Sequence, residues 1–94
     1  MGIVRGQKGT NMFFSILSAY STRNLDLVLD LNHNGNKRTV TLYSKKEHRC
    51  IVNSTFDSSD PARALFDSLC RKYDMNVIEE LDTSEVYDFI NSQY

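Results

Sequence analysis

The chain has 94 residues, 40% of them hydrophobic, with four glycines, one proline and a net charge of −1. This composition favours a small folded domain over a disordered segment. No apolar run approaches the ~18 residues of a transmembrane helix, and the N-terminus lacks the apolar stretch of a secretory signal. We therefore expect a soluble protein without membrane contact that works in the cytoplasm, or in the host cytoplasm for a viral chain.

The beginning of the chain divides into an arm and a helix. Residues 1–10 hold three glycines and two bases without a clear period, which predicts a flexible N-terminal arm ahead of a single α+β domain over 11–94. Thr10 or Asn11 can cap a helix over 11–21. The apolar residues of that segment follow the i, i+3, i+4, i+7 spacing of one helical face: Phe13, Ile16, Leu17 and Tyr20.

A β-hairpin comes next and has the clearest local pattern. Leucines occupy every second position of residues 25–31, a period of two that is typical of a strand. Asn34-Gly35 fits the centre of a two-residue type I′ turn. This turn predicts a register that places Leu29 opposite Val40, and the apolar faces of the two strands favour the same register.

A third strand extends the hairpin. After a polar turn at 44–47, residues 48–56 predict an antiparallel strand with three residues facing the core: Cys50, Val52 and Phe56. The polar face of the resulting sheet holds Asp26 and Asp30. We expect these carboxylates to pair with bases or to keep an open face solvated, and the leucine face to be covered by helices.

Two helices follow the strands. Ser59-Asp60-Pro61 marks a helix start, and an apolar stripe then runs over three turns: Ala62, Leu65, Phe66, Leu69, Cys70 and Tyr73. The short, mixed sequence of residues 75–81 predicts a short strand or a turn. The sequence 82–85 resembles a capping box that opens a final helix with three residues inward: Val86, Phe89 and Ile90. The predicted fold is α+β, a three-stranded antiparallel β-meander with helices packed on one face, in the order α-β-β-β-α-(β)-α.

The sequence contains no motif of an enzyme. A glycine-rich phosphate loop with Lys-Ser/Thr, a Gly-x-Ser-x-Gly elbow and a His-Glu-x-x-His pair are all missing from it. The two cysteines, Cys50 and Cys70, lack metal-ligand spacing and lie in apolar patterns, which predicts buried thiols, with a disulfide between them as the alternative. We expect no catalytic activity, no cofactor and no metal.

Charge is divided along the chain. Residues 1–56 hold eight lysines and arginines against three acids, and residues 57–94 hold three against nine, so the two parts carry +5 and −6. Acids mixed with exposed aromatic residues suit docking on a basic protein groove. The predicted function is a non-catalytic protein that binds a macromolecular partner with a basic surface. Its acidic C-terminal surface comprises Glu79, Glu80, Asp82, Glu85, Tyr87 and Asp88.

This combination of features also suggests a class of protein. Small phage-encoded inhibitors of bacterial defence, anti-CRISPR proteins among them, resemble this chain because they are short, partly acidic, α+β and poor in motifs. The resemblance implies a viral inhibitor of a host protein, and it carries no individual residues over.

Two other functions stay open. Basic and aromatic residues on the sheet are suited to RNA or DNA phosphates and bases: Lys37, Arg38, Tyr43, Lys45, Lys46 and Arg49. The predicted order αβββα over residues 11–73 resembles the Alu-domain proteins of the signal recognition particle, whose sheet binds RNA. The third function is sequestration of a small anionic ligand or nucleotide by an oligomer, in which the basic face of one subunit pairs with the acidic face of the next.

Overall fold

The computed structural model describes residues 14–32, 37–75 and 82–93. These residues form four strands and two helices: β1 (Phe14–Ser21), β2 (Leu25–Asn32), β3 (Arg38–Ser44), β4 (Arg49–Phe56), α1 (Ser59–Lys72) and α2 (Ser84–Gln93). The strands form one antiparallel sheet in the order β1-β2-β3-β4. The α+β class is confirmed, with four strands in place of three. The predicted arm at 1–10, the Asn34-Gly35 turn and residues 76–81 of the optional strand lie outside the described residues.

The helix predicted over 11–21 is wrong, because Phe14–Ser21 forms β1 at one edge of the described sheet. Its register with β2 shifts between Ile16 and Ser18, so Leu17 is the extra residue of a β-bulge. The bulge interrupts the period of two and leaves apolar residues at a spacing that imitates a helix. Since the described elements run β-β-β-β-α-α, the resemblance in element order to the Alu-domain proteins does not hold.

The predicted hairpin register is confirmed. Leu29 pairs with Val40 and Asp30 pairs with Thr39. The β3–β4 pair is also antiparallel, but its register shifts where Leu42 pairs with Val52 and Tyr43 pairs with Cys50. This second bulge turns Cys50 away from the side of the sheet that the sequence predicted for it.

The two helices pack on opposite faces of the sheet, so the prediction that both cover one face is wrong. The α1 face holds the larger core. Residues of β2 and β3 pack there against helix α1 and against Met75, three residues after the end of the helix. The core consists of Leu27, Leu29, Val40, Leu42, Ala62, Phe66, Leu69 and Met75. The other face holds a smaller core of Val28, Tyr43, Val86 and Ile90. An alternation of leucines with polar residues suggests one buried face, whereas β2 is buried on both.

The end of α1 is fixed by hydrogen bonds of a Schellman motif. The backbone N–H of Met75 donates to the carbonyl of Cys70, and that of Asp74 donates to the carbonyl of Arg71. Asp74 adopts the left-handed conformation that this motif requires, with φ of 56°. Met75 is fully buried in the α1 core, so the helix end is anchored by packing as well. Neither α1 nor α2 has the length and hydropathy of a membrane span.

Candidate functional site on the α2 face

The face of the sheet that α2 covers, here named the α2 face, consists of alternate residues of β2 and β3 together with helix α2. Its strand residues are Asp26, Val28, Asp30, Thr39, Thr41 and Tyr43. Asp26 and Asp30 are fully buried. The expectation of an open, solvated face is therefore wrong, because Val86 and Ile90 of α2 pack on it.

Lys45 compensates the buried charge of Asp26. Its Nζ lies 3.3 Å from Oδ1 of Asp26 and donates a hydrogen bond to Oγ of Ser21 at 3.0 Å. Ser21 in turn donates to Oδ1 of Asp26. Burial nevertheless raises the pKa of Asp26, because desolvation outweighs the lowering by Ser21 and Lys45. The Nζ of Lys45 also lies 3.4 Å from the carbonyl oxygen of Asp82, so one cation links the sheet to the start of α2.

Glu85 holds the first turn of α2 against the sheet. Its Oε1 accepts a hydrogen bond from the hydroxyl of Tyr43 at 3.1 Å and lies 2.9 Å from Nδ1 of His48. The hydrogen bond with His48 lowers the pKa of Glu85. Burial and the bond to Glu85 raise the pKa of Tyr43, whose ring lies 5.9 Å from that of Phe89. Tyr43 is only 8% exposed and does not offer a stacking surface to a base.

A polar pocket of about 260 Å³ opens on the α2 face beside the C-terminal half of α2. Apart from Ile90 its described lining is polar: Asp30, Thr39, Thr41, Asn53, Thr55 and Gln93. Asp30 and Thr41 are fully buried. The described lining thus combines one carboxylate with hydroxyls and amides and contains no basic side chain.

Cross-strand hydrogen bonds hold the pocket's side chains in place. Oγ1 of Thr39 and Oγ1 of Thr55 lie 3.0 Å apart, and Nδ2 of Asn53 donates to Oγ1 of Thr41 at 3.2 Å. Both pairs stand directly opposite each other in the β3–β4 register. The amide nitrogen of Asn53 donates to Thr41. The acceptor of this side chain is its carbonyl oxygen.

The predicted acidic surface is brought together only in part. Asp82 lies ahead of α2 and accepts a hydrogen bond from the backbone N–H of Ser84 at 2.9 Å, which lowers the pKa of Asp82. Glu85 contacts the sheet, whereas Asp88 is exposed on the outer side of the helix. Tyr87 is half-buried and packs against the smaller core. Glu79 and Glu80 lie outside the described residues.

The predicted basic surface is not one surface. Lys37 forms an ion pair with Asp57 at 2.5 Å at one end of the sheet, and Arg38 begins β3 beside it. At the other end, Arg49 pairs with Glu47 at 2.7 Å. The remaining residues of the set differ in exposure: Lys45 is half-buried, Lys46 is exposed and Tyr43 is buried. The seven residues of β3 separate the two ends by roughly 20 Å.

In three dimensions the division of charge runs across the sheet. The α2 face collects five carboxylates: Asp26, Asp30, Asp82, Glu85 and Asp88. Within the described ranges, neither α2 nor the strand positions of this face contribute a lysine or arginine, and Lys45 reaches it from the β3–β4 turn. Helix α1 on the opposite side carries three cations and two carboxylates: Arg63, Arg71, Lys72, Asp60 and Asp67.

The two cysteines lie apart, and the described residues contain no group of potential metal ligands. Cys50 and Cys70 are both free thiols and half-buried. Cys50 packs against the core under α2 and Cys70 against the core under α1, so the sheet lies between them. Burial raises the pKa of each thiol. Among the described residues, no three His, Cys, Asp or Glu side chains are grouped closely enough to hold a metal ion.

The sequence prediction missed the pocket, although a signal for it was present. The alternation in β2 and β3 predicts that Asp30 lies opposite Thr39, as observed, but by itself it also predicts that the face they share is open. The final helix needs an apolar surface for Val86 and Ile90, and Val28 between two aspartates provides one. Reading Val28 together with that helix would have indicated a second covered face.

Comparison with known proteins identifies no relative of this chain. No protein family matches it, and neither does any curated protein or solved structure.

Proposed function

We propose that this protein is a non-catalytic binding protein that engages a macromolecular partner with a basic surface through its α2 face. The observation that carries the proposal is the collection of five carboxylates on that face. Lys45 reaches the face from the β3–β4 turn and compensates Asp26, whereas the described strand positions and α2 contribute no lysine or arginine. A one-sided field of this kind steers an oppositely charged partner and orients it before contact.

The accessible part of this charge lies along α2. Asp88 is exposed, and the side chain of Glu85 keeps 40% exposure beside His48. The lowered pKa values of Asp82 and Glu85 keep both carboxylates ionised at neutral pH. A basic protein groove that normally holds nucleic acid is one surface that such a field fits, which is how an inhibitor of the predicted viral class would act.

The alternatives have weaker support in the geometry. Nucleic-acid binding on the sheet needs Tyr43 to be accessible and the basic residues to be adjacent, yet Tyr43 is buried and Lys37 and Lys46 stand at opposite ends of β3. Sequestration of a small anion is disfavoured by the carboxylate of Asp30 in the pocket. Pairing of faces between subunits stays a prediction.

The test begins with capture of the partner by the tagged full chain from an extract of the native host, with and without nuclease. Association with the isolated partner is then measured for Asp88→Lys. Asp67→Lys is the matched control, because Asp67 is also an exposed helical aspartate but belongs to α1. Asp88 is preferred to Glu85 for this purpose, since reversal of Glu85 also removes its contacts with Tyr43 and His48.

We expect Asp88→Lys to slow association roughly tenfold at low salt, within the range of electrostatic steering. The effect should fade at about 1 M salt, where the Debye length is about 3 Å. Asp67→Lys should change the rate much less. Equal effects of the two variants contradict the proposal. The proposal is also contradicted if the tagged chain captures nucleic acid in place of protein and Lys46→Glu abolishes binding of that nucleic acid.

A further inference from the structure

We propose that this protein forms a symmetric dimer through the outer edge of β4, with the β4 strands of two copies paired antiparallel about Ser54. This inference goes beyond the proposed function, because it concerns a second copy of the same chain and a different part of the surface. β4 is the last strand of the described sheet, and none of the described residues pairs with its outer side. An unpaired strand edge is a template for a further strand.

The edge of β4 is regular over most of its length. The register of β3 and β4 shifts near the start of β4, where Ile51 is the extra residue of the bulge, and residues 52–56 then continue without interruption. Those five residues contain no charged side chain and no proline, the devices that usually block an added strand. Asn53 and Thr55 are exposed. This stretch is therefore open to a further antiparallel strand.

The alternation of the ladder shows which backbone groups of β4 point outward. The N–H of Lys45 donates to the carbonyl of Asn24, just beyond the last pair of the β2–β3 register. Because hydrogen-bonded and non-bonded pairs alternate in an antiparallel ladder, Thr41, four positions before Lys45, also points its backbone groups at β2. Its partner Asn53 is then in a non-bonded pair with β3 and points its N–H and C=O outward, as does Thr55 two positions later. The side-chain bond between Asn53 and Thr41 agrees, since side chains are closest in non-bonded pairs.

Pairing about Ser54 places complementary residues opposite each other. Asn53 of one copy lies opposite Thr55 of the other, and because the backbone groups of both point outward, the two residues exchange both hydrogen bonds of a bonded pair. The two-fold axis repeats this pair once. Val52 of one copy lies opposite Phe56 of the other, and both are half-buried residues that pack against the α1 core. Apolar cross-strand pairs stabilise a ladder, and an isologous contact of this kind closes after two copies.

Charge complementarity favours the same arrangement. Arg49 begins β4, and Asp57 and Asp60 follow its end, all three with exposed side chains. Antiparallel pairing places the start of one β4 beside the end of the other, so each arginine approaches the aspartates of the second copy. Parallel pairing would place like charges side by side. The two-fold axis is perpendicular to the sheet, which leaves the α2 faces of both copies on one side of the dimer.

Sedimentation equilibrium of the full chain measures the association. Because the paired stretch is short, we expect a dimer with a Kd on the order of 10–100 µM, typical of small, transient interfaces. Backbone hydrogen exchange locates the contact. The amides of Asn53 and Thr55 should exchange severalfold more slowly as the protein concentration rises, whereas the amide of Ser54, which points at β3, should not change. A protein that stays monomeric at about 1 mM, well above that Kd, overturns the inference, as does assembly beyond the dimer. Slow exchange of both outward amides at every concentration also overturns it, because another part of the same chain then occupies the edge.

Thr55→Pro tests the backbone contact, because it removes an N–H that makes no bond to β3, a position at which an edge strand tolerates proline. The dimer loses one backbone bond from each copy, so the Kd should rise on the order of 30-fold. Thr55→Val is the matched control, since it keeps the N–H and the branched side chain, and its effect should be much smaller. Equal effects of the two variants contradict the assignment.

A charge swap on the two-fold axis tests the register and covers the case in which Thr55→Pro does not fold. Ser54→Lys and Ser54→Glu each place like charges directly opposite each other and should abolish the dimer of the single variant. An equimolar mixture of the two should associate again, because the charges are then opposite. Circular dichroism establishes that both variants are folded. Unchanged dimers of either single variant, or no association of the folded variants in the mixture, contradict pairing about Ser54.

Discussion

Lys45→Met should destabilise the protein strongly at neutral pH, because it removes the cation that compensates a fully buried carboxylate. Asp26 would keep Ser21 as a hydrogen-bond donor but lose the ammonium 3.3 Å away. Removal of one partner from a buried ion pair costs about 3–5 kcal/mol. Protonation of Asp26 limits that loss, since neutralising a carboxyl group of ordinary pKa 3.8 costs about 4 kcal/mol at pH 7. We therefore expect the free energy of unfolding to fall by about 3 kcal/mol.

The same reasoning predicts the pH dependence of the loss. Protonation costs only about 2 kcal/mol at pH 5, so the difference between wild type and Lys45→Met should shrink as pH falls from 7 to 5. The sign follows from linkage. Burial raises the folded-state pKa of Asp26, so its contribution to stability is greatest at low pH and is lost as pH rises through that pKa. Lys45→Met strengthens this trend.

Urea unfolding followed by circular dichroism at the two pH values measures both effects. Lys46→Met is the matched control, because Lys46 is the exposed neighbour, and its free energy of unfolding should stay within about 0.5 kcal/mol of wild type. Asp26→Asn combined with Lys45→Met should recover most of the stability, since no buried charge remains. The reasoning is refuted if Lys45→Met and Lys46→Met lose the same amount, or if the loss is equal at both pH values.

Three further outcomes follow from the packing. Phe66→Ala should cost about 3–5 kcal/mol in urea unfolding, because this ring is 1% exposed in the α1 core; a loss below about 1 kcal/mol contradicts the packing. Tyr43→Phe should lower the urea unfolding midpoint by removing the hydrogen bond to Glu85, and an unchanged midpoint refutes that bond. Cys50 and Cys70 should react slowly with a thiol reagent at neutral pH, because burial raises both pKa values. The intact mass should show two free thiols; rapid labelling or a mass lower by two hydrogens contradicts this.

The parts of the fold that could be predicted from sequence are those in which two local signals agree. For β2 and β3, the leucine alternation and the Asn34-Gly35 pair favour one register, which places Leu29 opposite Val40 as observed. α1 likewise combines a start signal with a continuous apolar stripe. In both cases the spacing of the apolar residues matches the repeat of the element, a strand or a helix, along its whole length.

The parts that could not be predicted depend on an irregularity or on a distant element. Leu17 adds one residue to β1, which changes an alternation into a helical spacing that no local rule distinguishes from a helix. The burial of Asp26 depends on Lys45, nineteen positions later in the sequence. The pocket exists because α2 packs on the face of the sheet opposite α1. The polar residues of that face give no sign in the sequence that a helix covers it.

The bulge at Leu17 also affects how readily another strand could pair with β1. β1 is an edge of the described sheet, and its eight residues, 14–21, include no charged side chain and no proline, the devices with which most edge strands block another strand. Ile16 and Leu17 are 39% and 45% exposed. An extra residue bends and twists the strand, so that its outer hydrogen-bonding groups no longer match a flat incoming strand. Leu17 therefore makes this edge of the described sheet a poorer template for an added strand.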